Sequence, residues 1–241
     1  MALFQIPNLR LPTQTGVYFD NGSASGYQAS LSTYNWTHRV GTGIVNNVIV
    51  VGVSIFATGT VSSVTAGALS LTFVRSDTNG VYRSEIWQGV GVATGNVTVT
   101  VTLSASLTSI ANAQTYWNAS VDNNAGGNGT STPASASITP STNASRIVGN
   151  MATLTASGVT SAGAQAPRTS NTGALGTGAS DDKGIIATAA STTLTWNGIG
   201  ATNSWAVSLL SLKPFTAPAS GGFPEWPILQ GYGNFWGPVY S

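Results

Sequence analysis

The chain has 241 residues, of which eight are Lys or Arg and seven Asp or Glu, for a formal net charge of +1. Charged residues make up 6% of it, against about 25% in a usual soluble domain. With no Lys/Arg run, the composition excludes the clustered cations that hold nucleic acid or an anionic membrane surface. The absence of cysteine removes disulfides and thiolate metal sites. Polar surface must come from neutral side chains, and Ser and Thr together number 61. These residues favour strands and turns over helices, while 41% apolar residues suffice for a core.

Residues 1–15 read as an extended arm. Leu3, Phe4, Ile6, Leu9 and Leu11 are interrupted by Pro7 and Pro12, which exclude a helix. This segment has no basic start and no continuous apolar run, so it does not read as a secretory signal. No stretch approaches the roughly 20 apolar residues of a membrane-spanning helix.

Residues 16–213 read as a body made of strands. Val48–Phe56 is almost continuously apolar and predicts a strand buried on both faces. Leu69–Val74 and Val97–Leu103 alternate, which predicts one core face and one wet face. Val81–Val90, Ser145–Leu154, Ile185–Ala189, Thr192–Trp196 and Trp205–Leu212 complete the strand candidates. Asn79-Gly80, Gly95-Asn96, Gly126-Gly127-Asn128 and Asn197-Gly198 read as turns. Residues 158–180 hold almost nothing to bury and read as a long exposed loop. The alternation predicts a core of Trp36, Val40, Ile49, Val51, Val53, Leu71, Phe73, Trp87, Val99, Val101, Trp205 and Leu209. Together these features predict an all-β fold, a two-sheet jelly-roll-like β-sandwich with extended N- and C-terminal arms.

Residues 214–241 read as the second arm, with five prolines and seven of the chain's 21 aromatic residues. Left in water, it would expose more apolar area than a soluble monomer normally tolerates. Both arms are therefore read as assembly devices. Their contacts are assigned to Leu3, Phe4 and Ile6 in the first, and to Phe223, Trp226, Tyr232, Phe235, Trp236 and Tyr240 in the second.

The chemical inventory is thin. The seven carboxylates form no paired motif for glycoside hydrolysis. A Ser-His-Asp arrangement would depend on the single histidine, His38, and no serine sits in a G-x-S-x-G elbow. No phosphate-binding glycine loop is present. The expectation is a non-enzyme without cofactor or metal. Asp181-Asp182 is weighed as a loop calcium site and set aside for want of a spaced acidic pattern. One cluster carries a binding hypothesis. Arg83, Glu85 and Trp87 share one strand face, and Trp36 and His38 share another. If those faces meet, they form a glycan platform; the rival reading is an ion pair beneath two core tryptophans.

The segments Trp36–Gly41, Asn47–Ser54, Leu71–Val74, Arg83–Trp87, Thr98–Thr102 and Trp205–Lys213 resemble a β-sandwich domain recurring in secreted bacterial proteins and phage virion proteins. The resemblance covers roughly residues 27–213 and implies display or adhesion at an external surface. The expected function is a virion structural protein on the particle surface, made without a signal peptide, first as a phage head decoration protein. A tail-fibre or receptor-binding subunit, and a carbohydrate-binding module of a secreted protein, are the alternatives. The expected partners are capsid or other virion proteins and further copies of this chain, with a cell-surface glycan as a further candidate; nucleic acid and membrane are not expected.

Overall fold

The computed structural model describes residues 15–154 and 158–217, and no helix occurs among them. The predicted all-β sandwich is observed, with three antiparallel sheets in place of two. The first sheet contains β1 (Tyr18–Val40), β2 (Val48–Phe56), β3 (Val61–Ala66), β4 (Leu69–Ser70), β5 (Thr72–Asn79), β6 (Tyr82–Val90) and β7 (Gly95–Trp117). The second contains β8 (Ala119–Gly129), β10 (Ser145–Thr153), β12 (Gln165–Gly173), β13 (Gly176–Ile186) and β15 (Trp205–Pro214). The third is small: β9 (Ala134–Ile138), β11 (Thr160–Ser161) and β14 (Thr192–Asn197).

The first sheet folds over on itself. β7 pairs with β1 along its length, and on its other edge it pairs first with β3 and then with β2. Register shifts near Leu31 and between Val61 and Ser63 mark where β1 and β3 depart from a regular ladder with β7. A main-chain hydrogen bond of 2.9 Å from Leu71 N to Val64 O helps to close the sheet. Enclosed within it is a core that includes Ile49, Val51, Val53, Ile55, Val99, Val101 and Trp87. β2 is buried on both faces, as its continuous apolar run predicts. Ile49, Val51 and Val53 belong to this enclosed core, whereas Val48 and Val50 pack with Val148 and Leu210 of the second sheet.

The second sheet is itself covered on both sides. Ile147, Met151, Val207 and Leu209 pack with Leu194 and Trp196 of the third sheet. Toward the first sheet the packing is part apolar and part polar. Asn150 donates to Ser84 Oγ at 3.0 Å, and Ser208 donates to Asp77 Oδ2 at 2.8 Å.

Three sequence expectations change. Residues 158–180 are not a long loop but contain β11, β12 and the start of β13, which is buried from Gly176 to Asp182. Small residues there reflect close approach: a Cβ on Gly178 would stand 2.9 Å from Ser54 Oγ. Gly126-Gly127-Asn128 lies within β8, not in a turn. A side chain at Gly126 would collide with the Arg75–Asp77 pair. Ile185–Ala189 is not a separate strand; β13 ends at Ile186. Of the predicted core residues, Trp36 is only half-buried, and Phe73 is 48% exposed. Phe73 keeps the face of its ladder partner Trp87, but β5 is the end strand of the sheet and Phe73 stands over the cleft beside it, so one side of its ring has no neighbour to cover it. The two arms' assigned contact residues lie outside the described residues.

Gly149 of β10 offers a direct test of this layering, because a Cβ there would stand 2.8 Å from the Trp196 ring and 2.9 Å from Leu209. Gly149→Ala is expected to destabilise the body by about 1–3 kcal/mol through overpacking. Urea denaturation should show a lowered midpoint with an unchanged slope; an unaltered midpoint would contradict the close seating of the third sheet.

Candidate functional site

The five residues of the expected glycan platform separate into two groups that share no hydrogen bond. In the first, the two halves of the folded β1 are fastened by side chains. Trp36 Nε1 donates to Ser23 Oγ at 2.9 Å, and Ser23 Oγ lies 2.8 Å from His38 Nδ1. His38 Nε2 lies 2.6 Å from Thr115 Oγ1. Asn21 donates to Arg39 O, and Gly41 N donates to Asp20. His38 is fully buried. Burial pushes its pKa down to about 4, while the Asp20 carboxylate pulls the other way. A buried neutral imidazole with a partner on each nitrogen is a structural clasp, not a platform residue.

The second group stands at the seam of the folded sheet. β3 and β5 are not paired by a ladder, and a cleft of about 260 Å³ opens between them, lined by Val61, Phe73, Ser76, Arg83, Glu85 and Trp87 among others. β6 carries Arg83, Glu85 and Trp87 on one face by strand alternation. Glu85 is 2% exposed and accepts from Trp87 Nε1 at 3.1 Å and from Val61 N at 3.4 Å. Arg83 lies 3.6 Å from Glu85 and donates to Ser76 Oγ at 2.6 Å. Burial raises the Glu85 carboxyl pKa, opposed by the Trp87 and Val61 hydrogen bonds and by Arg83. Phe73 packs edge-to-face on Trp87, with ring centroids 5.4 Å apart. Phe73 joins the site as a residue that sequence alternation assigned to the core. Glu85 is the one carboxylate among the described residues lining this cleft.

Asp181 and Asp182 do not form a loop site. They sit on β13 and point to opposite faces. Asp182 is buried against Arg168 at 2.6 Å and Arg146 at 3.1 Å, with the Tyr116 hydroxyl 3.0 Å away. Arg168 also stacks on Phe19, 3.7 Å from the ring centroid. Asp181 faces the third sheet, where burial raises its pKa and the Gln165 amide donates to it at 3.1 Å. Adjacent carboxylates directed apart cannot share one hard cation.

A further feature was not foreseen in the sequence. Both described ends of the body meet at Asn118, the residue between β7 and β8. Its side-chain amide donates to Gly16 O at 2.8 Å, and its carbonyl accepts from Phe215 N at 3.0 Å. The same residue donates its own N–H to Val45 O at 3.1 Å. The cause is topological. β1 pairs with β7 from Tyr18↔Trp117, and β15 pairs with β8 out to Pro214↔Ala119. Exposed apolar side chains stand at the same pole: Val45 (63%), Val90 (57%) and Ile185 (44%). Gly91 N bonds to Asn47 O, which sets Val90 near Val45.

No family model matches the chain, and a search of curated proteins finds no match.

Two predictions follow from the buried charges. His38 has a folded-state pKa below its ordinary value of 6.5, so the unfolded chain takes up the proton first. Its stabilisation is complete above about pH 6.5 and is lost as pH falls toward 4, by about 3 kcal/mol. Glu85 and Asp181, whose pKa values are raised, act with the opposite sign. The informative quantity is therefore the stability difference between wild type and His38→Gln, measured by denaturation from pH 7 to pH 4. It should shrink by that amount; a pH-independent difference would contradict the clasp. Asp182→Asn leaves two guanidinium groups facing a neutral amide and should cost about 3–5 kcal/mol. Asp181→Asn removes a carboxylate that burial already disfavours and should stay within about 1 kcal/mol of wild type. Equal losses in the two melts would contradict the different settings of the pair.

Proposed function

We propose that this chain is a non-enzymatic virion structural protein, displayed on the particle surface as a phage head decoration protein and held there through the pole at which its two ends leave. The observation that carries this reading is the joint at Asn118, which ties Gly16 and Phe215 to one residue. The described body therefore begins and ends at one place, and the reading takes the sequences beyond Gly16 and Phe215 as the attachment segments. Those sequences hold Leu3, Phe4 and Ile6 at one end and Phe223, Trp226, Tyr232, Phe235, Trp236 and Tyr240 at the other. Large aromatic and aliphatic side chains of this kind supply much of the energy of protein interfaces. Val45, Val90 and Ile185 add apolar area around the exit point. The partners in this reading are capsid protein and sister copies of the chain.

The charge distribution supports a structural role over a catalytic one. Asp77, Glu85, Asp122 and Asp182 each stand beside an Arg or Lys of the body, at 2.7, 3.6, 3.8 and 2.6 Å. Their carboxylates are engaged in holding strands together. Hydrolysis of a glycoside would ordinarily need two carboxyl groups on either side of one bond, and the cleft at the seam offers Glu85 alone among its described lining. A receptor-binding subunit is the second reading, and the same cleft is the feature that favours it.

Deletion of residues 218–241 keeps β15 and the Phe215–Asn118 bond intact. The truncated chain should melt within a few degrees of the full chain, yet its occupancy on particles in a sedimentation assay should fall at least tenfold. Full occupancy by the truncated chain would contradict attachment through the C-terminal segment.

A further inference from the structure

The cleft at the seam combines three features that a folded core does not require together. First, a large aromatic ring is left half in solvent. Phe73 is 48% exposed although Leu71, two residues before it, is buried, and its edge-to-face contact with Trp87 fixes its orientation. Second, a nearly buried carboxylate stands at the wall of an open cavity. Glu85 has two donors from the protein, Trp87 Nε1 and Val61 N, whereas an ionised carboxylate offers about four acceptor positions. Third, a partly exposed guanidinium stands beside it. Arg83 uses one nitrogen, Nη1, toward Ser76 and Glu85, and a guanidinium has five N–H donors in all.

We propose that this cleft is a carbohydrate subsite that takes one uncharged pyranose ring. The apolar C–H face of the sugar lies on Phe73, whose ring face carries partial negative charge. Two neighbouring hydroxyls bridge the free acceptor positions of Glu85 and the free N–H groups of Arg83. A vicinal diol suits this pair because each hydroxyl both donates and accepts. The charges of Arg83 and Glu85 cancel within the cleft, so a ligand with its own charge gains no net attraction there. The volume of about 260 Å³ has room for one six-membered ring; further sugars of a chain would extend into solvent. His38 and Trp36 take no part, since both are committed to Ser23.

The test is saturation-transfer NMR on the full chain with the methyl glycosides of glucose, galactose, mannose and N-acetylglucosamine. Saturation should reach the ring protons of at least one of them. Phe73→Ala should weaken that binding at least tenfold without lowering the melting temperature, because the ring is half exposed. Glu85→Gln should also weaken it, and thermal melts of this variant separate lost binding from lost folding. Absence of transfer to all four neutral glycosides would overturn the proposal. So would unchanged binding by Phe73→Ala, or binding confined to glucuronic or N-acetylneuraminic acid. The result is independent of particle attachment: the chain lacking residues 218–241 should bind the sugar as the full chain does, and Phe73→Ala should attach to particles normally.

Discussion

The folding of the first sheet over itself is the constraint on which the rest of the body depends. A flat sheet of seven strands would have two broad faces to cover. Folding it encloses one face around Ile49, Val51, Val53, Val99 and Val101 and leaves the other for the second sheet. The fold-over needs fastening where β1 meets itself, and that work falls to polar groups. Ser23, Trp36, His38 and Thr115 form a hydrogen-bonded chain in a site closed to solvent at His38. Burial of that imidazole disfavours its charged form, so the clasp is tightest when His38 is neutral.

From that constraint follow both features on which the proposed roles rest. Where β3 and β5 come together without a full ladder, the seam leaves a cleft, and β6 turns Arg83, Glu85 and Trp87 toward it. Where β1 and β7 run together to the end of their ladder, the first strand begins beside the end of the seventh. β8 then leaves from Asn118, and β15 returns alongside it. The two ends of the body thus converge by pairing alone. The seam and the exit pole involve different residues, so the proposed attachment and the proposed sugar site can be tested separately.

Much of this was legible in the residues, and the failures have physical causes. β2 was read closely because nine consecutive buried positions demand a continuous apolar run. β6, β10, β14 and β15 fall within one or two residues of the strands their apolar patterns predict, for similar reasons. β13 has no apolar pattern because its buried positions are glycine, threonine, alanine, serine and aspartate: close sheet approach, not side-chain volume, fills the space. The first half of β1 has no strand signature, because Asn21, Gly22, Ser23 and Ser25 carry no apolar alternation. Their strand state comes from pairing with β7, a tertiary cause that local pattern does not hold. Within the candidate site, strand period correctly put Arg83, Glu85 and Trp87 together. It could not say that His38 would be turned into a clasp, nor that Phe73 would stand on an end strand at an open cleft and stay exposed. The meeting of both ends at Asn118 has no local signal, since it depends on the order of strands in two sheets.

The central claim is that the body is held at the pole where its ends leave. Hydrogen exchange, compared between the free chain and the chain bound to its particles, tests it most directly. Bound chains should gain protection at Val45–Asn47, around Asn118 and at Gly16, Val17 and Phe215, with Leu154 and Leu175 unchanged. Protection gained at Leu154 and Leu175, with none around Asn118, would contradict the account.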